Sequence, residues 1–281
     1  MADNYLERRM DDLRQGRLQK SSASPRTGAA PGLFGKYPPR RVVVTGGANG
    51  IGLEITRTFL RAGCKVAVID IDAEAGQRLA SGEGVRFCHA DVADPEALEQ
   101  ALDSLFYAWR DVDIIVSNAG IFRQAPLESD PVGEFDRAVD VNLRPAYLMA
   151  RWWAKWRREL PYPNPYGGRM VLIGSTRHLQ SESGTEGYTA SKGGIAALTH
   201  ALMMSLAEWH ITVNCISPGW IHSGDESELS EADARQHPSG RVGRPSDVAR
   251  LALFLTLPDN DFINGADIPV DGGMTRRMIY V

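Results

Sequence analysis

The sequence lacks the features that mark membrane, secreted and nucleic-acid-binding proteins. No apolar run reaches the roughly 18 residues that a membrane-spanning helix needs. Residues 1–10 are charged throughout and contain no apolar segment of a signal peptide, so we expect a cytoplasmic protein. Lys and Arg number 31 against 35 Asp and Glu, which gives a formal net charge of -4. This balance argues against a nucleic-acid partner.

Cysteine is also scarce. The three cysteines, Cys64, Cys88 and Cys215, are widely scattered and form no C-x-x-C pair. Their odd number and their spacing argue against a disulfide framework and against a zinc site, so we expect no metal.

The first 39 residues differ in composition from the rest of the 281. Leu6, Met10 and Leu13 could form one stripe of a short helix, and residues 21–39 are rich in Ser, Pro and Gly, as linkers are. Residues 1–39 are therefore predicted to be a tail or arm with a linker. Whether this segment is disordered or packs on its own domain or on a neighbouring subunit stays open. Residues 40–281 are predicted to form the catalytic domain.

From residue 41 onward, short apolar runs alternate with segments of helical periodicity. Strands are predicted at 42–44, 64–70, 85–90, 112–116, 170–174, 212–219 and 266–273, and helices at 53–62, 97–109, 135–158 (bent by Pro145), from Tyr188 onward, and 245–257. The polar segment 223–239 is predicted to be a lid or flexible loop. This alternation predicts one doubly wound α/β Rossmann domain, with a parallel sheet of six to seven strands and helices on both faces. Its ligand crevice should lie at the carboxyl ends of the strands.

Two features predict a dinucleotide site. The glycine-rich turn 45–52 lies between a strand and a helix, where glycines let the backbone approach a pyrophosphate and the helix N-terminus favours its charge. Asp70 closes the second strand, where a carboxylate can accept hydrogen bonds from the adenosine ribose. Because this charge would repel a 2′-phosphate, Asp70 favours NAD over NADP, although a strand-end or helix-capping role for it stays open.

A second cluster of polar residues predicts acid–base chemistry. If Tyr188 opens a helix, Lys192 lies one turn later on the same face. A nearby ammonium stabilises the phenolate, so it should lower the pKa of Tyr188 toward use as an acid or base. Ser175, at the end of a strand, could offer its hydroxyl to the same substrate oxygen. A Tyr-x-x-x-Lys spacing alone is also common on solvated helix surfaces.

Together these motifs resemble the short-chain dehydrogenase/reductase family, in its single-domain branch, over about residues 41–275. The marks, in order, are Thr45-Gly46-x-x-x-Gly50-x-Gly52, Asp91-Val92, Asn118-Ala119-Gly120, Asn142, Ser175, Tyr188-x-x-x-Lys192 and Ser217-Pro218-Gly219. Two positions depart mildly from the family pattern: Ser117 stands where asparagine is more frequent, and Ser223 where threonine is frequent.

The resemblance implies a role for each matching residue. The pyrophosphate would be held by residues Thr45 to Gly52, among them Gly46, Asn49, Gly50 and Ile51. The adenosine ribose would be bound by Asp70 and Ile71, and the adenine by Asp91 and Val92. The central part of the cofactor would contact Asn118, Ala119 and Gly120, and the nicotinamide would contact Pro218, Gly219, Ile221 and Ser223. Ser175 would hydrogen-bond the substrate oxygen, Tyr188 would exchange its proton, and Lys192 would hold the nicotinamide ribose. Asn142 would place a water that links Lys192 to solvent.

The substrate is less constrained by the sequence. Polar residues that should form the pocket wall lie between Ser175 and Tyr188 and after Gly219: Arg177, His178, Gln180, Glu182, Glu186, Trp220 and His222. Such a wall would suit a sugar or polyol, although these residues could instead face water or a second subunit.

The leading prediction is an NAD-dependent oxidoreductase acting on CH–OH groups (EC 1.1.1) of a secondary alcohol or on the matching ketone, including sugars and polyols. One alternative is a 3-oxoacyl-(acyl carrier protein) reductase that uses NADPH, and another is a non-catalytic dinucleotide sensor. The resemblance implies a homotetramer or dimer, with subunit contacts through the helices that carry Asn142 and Tyr188. The apolar C-terminus, residues 274–281, could reach into a neighbouring subunit.

Overall fold

The computed structural model describes residues 37–160 and 164–278. Most of the predicted tail, with its Leu6, Met10 and Leu13 stripe, lies outside these residues, as do residues 279–281. Tyr37, which the sequence analysis assigned to the linker, is buried in the domain. Its hydroxyl donates a hydrogen bond to Thr256 Oγ1 (2.7 Å), and its ring meets Phe59 edge-on. The packed domain therefore begins before the predicted boundary at residue 40.

Seven parallel strands form one sheet in the described part of the chain, which confirms the prediction of six to seven. The strands are β1 (Arg41–Thr45), β2 (Lys65–Asp70), β3 (Arg86–His89), β4 (Ile114–Ser117), β5 (Gly168–Ile173), β6 (Ile211–Pro218) and β7 (Asp267–Val270). Their spatial order is β3-β2-β1-β4-β5-β6-β7. The order reverses between β1 and β4, and in sheets of this kind ligands bind outside the carboxyl ends of the strands at such a reversal.

Eight α-helices connect these strands in the described residues. They are α1 (Gly50–Arg61), α2 (Ala73–Glu83), α3 (Pro95–Trp109), α4 (Val132–Asn142), α5 (Arg144–Glu159), α6 (Glu186–Leu206), α7 (Glu231–Arg235) and α8 (Pro245–Leu255). Helix α2 has no counterpart in the sequence analysis. The segment 223–239, predicted to be a lid or flexible loop, contains the short helix α7, which begins with a capping box between Ser230 and Asp233.

The long helix predicted over 135–158 is two helices. Helix α4 ends at Asn142, Leu143 lies between the two helices with a φ of -113°, and α5 begins at Arg144. Pro145 lies in the first turn of α5, where a residue without an N–H breaks no intrahelical hydrogen bond. The proline therefore begins a helix and does not bend one.

Helices pack on both faces of the sheet, as a doubly wound fold requires. On one face, Leu98 of α3 and Trp153 of α5 lie in one apolar cluster with Ile115 of β4. On the other face, Phe59 of α1 and Leu253 of α8 lie in a second cluster. Fully burying a side chain of this kind contributes roughly 1.5–3 kcal/mol, so the two clusters stabilise the sheet beneath the site. None of the helices in the described residues combines the length and apolarity needed to cross a bilayer.

Candidate active site

A cleft of about 680 Å³ opens at the carboxyl ends of the central strands, at the reversal of strand order. We call it the inner cleft. Its lining comprises Gly46, Asn49, Gly50, Ile51, Gly52, Asp70, Asn118, Ala119, Gly120, Ile121, Phe122, Ile173, Gly174, Ser175, Tyr188, Lys192, Pro218, Gly219, Ile221 and Ser223. The fold thus brings together most of the residues that the sequence analysis assigned to cofactor and chemistry.

The glycine-rich turn after β1 is fixed by Asn118, which follows β4. Asn118 Nδ2 donates hydrogen bonds to the carbonyls of Thr45 (3.1 Å) and Gly46 (2.9 Å). A Cβ on Gly52 would lie 1.9 Å from the Gly46 carbonyl oxygen, so only glycine allows α1 to approach the turn this closely. Gly50 has a φ of +54°, and no described heavy atom lies within 4 Å of the place its Cβ would take. An open backbone surface at a helix N-terminus fits a pyrophosphate group.

Thr45 requires a correction, because its side chain does not reach the cleft. It is fully buried, and Thr45 Oγ1 accepts hydrogen bonds from the backbone N–H groups of Asn118 (3.1 Å) and Ala119 (3.2 Å). Thr45 therefore ties the glycine-rich turn to the segment after β4, and its side chain does not line the inner cleft.

Asp70 lies at the end of β2 and lines the inner cleft. Its carboxylate accepts hydrogen bonds from the backbone N–H groups of Ala48 (2.9 Å) and Asp72 (3.0 Å). Each carboxylate oxygen retains further acceptor capacity. A smaller cavity of about 140 Å³ adjoins it and is lined by Ile71, Asp91 and Val92, among others. The residues predicted for ribose and adenine are therefore contiguous.

Ser175, Tyr188 and Lys192 converge on the inner cleft from two elements. Ser175 follows β5, whereas Tyr188 and Lys192 lie one turn apart on α6. Helix α6 begins at Glu186, before the predicted start at Tyr188. Lys192 Nζ donates a hydrogen bond to the Ile173 carbonyl (2.8 Å) and lies 5.7 Å from the centroid of the Tyr188 ring. Lys192 is almost fully buried, and one hydrogen bond leaves the other donors of its ammonium available to a ligand.

The pKa values of this cluster differ from the sequence prediction. Burial raises the pKa of Tyr188, and the Ser175 hydroxyl and the charge of Arg177 offset only part of this effect. Burial also lowers the pKa of Lys192 to about 8. The sequence analysis predicts that the ammonium lowers the pKa of Tyr188, but in this structure the effect of burial outweighs the charge of Arg177.

Asn142 joins the site to the rest of the fold. Its Oδ1 accepts a hydrogen bond from the backbone N–H of Ile121 (2.8 Å), and its Nδ2 donates to the Ile121 carbonyl and to Ser191 Oγ (both 3.0 Å). A Cβ on Gly120 would lie 3.2 Å from Asn142 Oδ1 and 3.6 Å from Lys192 Nζ, so glycine keeps this junction open. Asn142 thereby fixes the segment after β4 against α6.

A second cavity of about 690 Å³, the outer cleft, continues from the inner one. It is lined by Phe122, Ser175, Thr176, Arg177, Gln180, Ser181, Glu182, Tyr188, Gly219, Trp220, Ile221, Gln236 and Met274. Because Ser175 and Tyr188 line both clefts, a molecule in the outer cleft meets one in the inner cleft at these side chains. Phe122, Gln236 and Met274 were not anticipated, since no motif marks them; Phe122 could have been found from its place just after Gly120.

Three residues predicted for the pocket wall lie elsewhere. His178 Nε2 pairs with Asp267 of β7 (2.9 Å) and its Nδ1 with the Ser175 carbonyl oxygen (2.5 Å), so its ring bridges two strand ends and does not line the outer cleft. Glu186 is exposed at the start of α6, and His222 lines a separate cavity beside α7. No group of three or more His, Cys, Asp or Glu side chains within residues 37–160 and 164–278 is arranged to hold a metal.

Comparisons with known proteins agree with this geometry. Residues 46–275 match a family described as enoyl-(acyl carrier protein) reductase. An uncharacterized oxidoreductase of Thermotoga maritima is 39% identical over 252 residues, which are 85% of this chain and 96% of the relative. A 3-oxoacyl-(acyl-carrier-protein) reductase of Chlamydia trachomatis is 31% identical over 252 residues, covering 86% of this chain and 100% of the relative. The apo SCOR enzyme from Clostridium thermocellum superimposes with a TM-score of 0.78 at 39% identity, covering 86% of this chain and 95% of that one.

Proposed function

Because the chain belongs to the short-chain dehydrogenase/reductase family of oxidoreductases, which use a nicotinamide cofactor, we propose that it transfers hydride between NAD and a secondary alcohol or ketone. The observation that carries the proposal is the convergence of Ser175 and Tyr188 where the inner and outer clefts meet, with Lys192 beside them in the inner cleft. A substrate oxygen in the outer cleft could reach the Ser175 hydroxyl and the Tyr188 phenol together.

The inner cleft supports a binding mode for the dinucleotide. The open backbone at Gly50 and the N-terminus of α1 would hold the pyrophosphate, and Asp70 would accept hydrogen bonds from the adenosine ribose. Lys192, with ammonium donors to spare, would hold the nicotinamide ribose. The remaining proposed contacts are Gly46, Asn49, Ile51, Gly52, Ile71, Asp91, Val92, Asn118, Ala119, Gly120, Pro218, Gly219, Ile221 and Ser223.

The bound cofactor would supply or accept the hydride, and the protein residues would control charge on the substrate oxygen. Ser175 would donate a hydrogen bond to that oxygen. Tyr188 would give it a proton when a ketone is reduced and remove one when an alcohol is oxidised. The raised pKa of Tyr188 keeps the phenol protonated at neutral pH, and this form suits reduction. Asn142 would hold the segment after β4 in register with Lys192, and we retain the proposal that it places a water beside the lysine.

Asp70 supports NAD over NADP. Its carboxylate lies in the inner cleft, and a 2′-phosphate placed against it would meet a like charge in a partly desolvated site. The turn side chains facing the same region, Ala48 and Asn49, provide no positive charge that could compensate. Substituting Asp70 should therefore narrow the difference between the two cofactors.

The 3-oxoacyl-(acyl carrier protein) reductase reaction is the second candidate, because a relative that the chain matches over nearly its whole length carries that name. It would need room for an acyl chain in the outer cleft, one wall of which is polar: Thr176, Arg177, Gln180, Ser181 and Glu182. This polarity favours a hydroxylated substrate such as a sugar or polyol.

The test is turnover by wild type and by Tyr188→Phe with a panel of secondary alcohols, polyols and a 3-oxoacyl thioester. Wild type should oxidise or reduce at least one member, and the variant should lose about a thousandfold in kcat while binding NADH as wild type does. Equal turnover by the variant would refute the role of Tyr188. Preference for the thioester with NADPH would favour the second candidate.

We also propose that the protein is cytoplasmic and assembles as a homotetramer or dimer. Exposed apolar side chains on consecutive helices support an assembly surface: Val132 on α4, Tyr147 on α5 and Met204 on α6. The assignment of residues 1–39 to a tail or arm stays a prediction for residues 1–36, which lie outside the described part of the chain. A monomeric mass by light scattering would refute the assembly.

A further inference from the structure

The outer cleft holds a single positively charged side chain among the described residues that line it, and this side chain lies beside the reacting groups. The guanidinium of Arg177 lies over the Phe122 ring, 5.7 Å from its centroid. Phe122 in turn meets the Tyr188 ring edge-on, with centroids 5.1 Å apart. The backbone N–H of Arg177 donates a hydrogen bond to Ser175 Oγ (3.2 Å). Arg177 is therefore tied to both residues that would receive the substrate oxygen.

The guanidinium is poorly satisfied. Its Nη2 contacts Glu182 Oε1 at 2.9 Å, whereas its Nη1 is buried and has no hydrogen-bond partner among the described residues. A buried donor left unpaired is unfavourable, and it is more so when the group is charged. The ion pair with Glu182 offsets little of this free-energy cost, because the Glu182 side chain is 59% exposed and such ion pairs contribute little to stability. This arrangement favours a ligand that engages both terminal nitrogens.

From this site we infer that the substrate of the proposed oxidoreductase carries a carboxylate, which displaces Glu182 and pairs with Arg177. The inference rests on the proposed function and specifies its substrate as a hydroxy acid or keto acid, including sugar acids. A carboxylate can accept two parallel hydrogen bonds from a guanidinium, which the contact with Glu182 does not provide. One cation matches one monoanion, so a carboxylate fits the charge of this cleft better than a phosphate dianion does.

The geometry also explains how a distant charge would select the reacting carbon. Arg177 lies in the short 3-10 turn Thr176–His178, immediately after Ser175. His178 pairs with Asp267 of β7 and so holds this turn against the sheet. A carboxylate held by Arg177 would thus keep a fixed offset from the substrate oxygen at Ser175. Substrates with the hydroxyl at the matching distance from the carboxylate would be favoured.

The test compares acids with neutral alcohols of the same carbon chain. The pairs are glycerate and glycerol, 3-hydroxybutyrate and butane-1,3-diol, and D-gluconate and D-glucitol, each oxidised with NAD by wild type, Arg177→Gln, Arg177→Lys and Glu182→Gln. In at least one pair, wild type should prefer the acid by about tenfold or more in kcat/KM, as expected for a charge-assisted contact. Arg177→Gln should lose this preference, mainly through a higher KM for the acid, and Arg177→Lys should keep part of it.

Glu182→Gln should change the preference for the acid in the opposite direction from Arg177→Gln. It removes the carboxylate that competes for Arg177, so the KM for the acid should fall and the acid-to-alcohol ratio should rise. A merely structural role for Glu182 would change both substrates alike.

Three results would overturn the inference: no preference for the acid in any pair, retention of the preference by Arg177→Gln, or no oxidation of any acid by wild type that binds NADH. Failure of wild type to bind NADH would instead refute the proposed function, and titration before substrate is added detects this separately.

Discussion

Lys192 provides the most quantitative prediction, because the fold buries an ammonium group. Burial lowers the pKa of Lys192 from an ordinary 10.5 to about 8. Since one pKa unit corresponds to about 1.4 kcal/mol, keeping Lys192 charged in the folded protein lowers the free energy of unfolding by about 3 kcal/mol. Lys192→Met removes this cost and also the hydrogen bond to the Ile173 carbonyl, worth about 1 kcal/mol. At pH 7 the variant should therefore be more stable than wild type by about 2 kcal/mol, although it should lose turnover.

The pH dependence of this difference identifies its cause. Because the pKa of Lys192 is lower in the folded than in the unfolded state, the unfolded chain binds the extra proton between pH 8 and 10.5. The free energy of unfolding of wild type should therefore gain a rising contribution across this window, and the cost should be fully present below it. By pH 10.5 the advantage of Lys192→Met should vanish, leaving the variant about 1 kcal/mol less stable.

Urea unfolding at fixed protein concentration, at pH 7 and at pH 10.5, measures both values. All other titrating groups are shared by the two proteins, so their effects cancel in the difference. The control is Lys155→Met, whose side chain is 61% exposed beside Glu99 and whose loss should change stability by less than about 0.5 kcal/mol. A Lys192→Met difference that is the same at both pH values, or that grows with pH, would refute the reasoning.

Three further predictions concern the turn, the phenol and the bridging histidine. Gly52→Ala places a methyl group 1.9 Å from the turn backbone, so it should lower the free energy of unfolding by about 1–3 kcal/mol and weaken NADH binding. The control, Gly82→Ala, adds a methyl group in open space on α2 and should raise the free energy of unfolding by up to about 1 kcal/mol. Urea unfolding and NADH titration compare the two variants. Alcohol oxidation needs the phenolate of Tyr188, and the pKa of this phenol is raised. The kcat/KM for oxidation should therefore rise up to about tenfold per pH unit above neutrality, whereas the kcat/KM for ketone reduction should not change. A kcat/KM for oxidation that does not change with pH would contradict this. His178→Phe removes the hydrogen bond to the Ser175 carbonyl, so kcat should fall about tenfold while NADH affinity stays unchanged. An unchanged kcat would show that His178 does not position Ser175 for the reaction.

The sequence was sufficient for the order of the seven strands, for most of the helices between them and for most of the residues that meet in the inner cleft, but not for helices α2 and α7. These depend on local patterns: a glycine-rich turn between strand and helix, and a Tyr–Lys pair one helical turn apart. The division of residues 135–158 at Leu143 was missed, because a proline in a helical pattern can either bend a helix or begin one.

The features that sequence reasoning missed depend on distant contacts. The Thr45 side chain faces away from the cleft because its hydroxyl accepts a hydrogen bond from the backbone N–H of Asn118, which lies 73 positions later in the chain. His178 is removed from the pocket wall by Asp267 on the last strand, a partner that no local spacing indicates. The direction of the pKa change at Tyr188 was also wrong, because it depends on how deeply the assembled fold buries the phenol.

The measurement that tests the central claim most directly is the titration of NADH and NADPH, separately, into wild type and Asp70→Asn. The account predicts that wild type binds NADH at least about tenfold more tightly than NADPH, because the Asp70 carboxylate repels a 2′-phosphate, and that Asp70→Asn narrows this difference. Equal or tighter binding of NADPH by wild type would contradict the assignment of Asp70 and of NAD. Binding of neither would contradict the dinucleotide site itself.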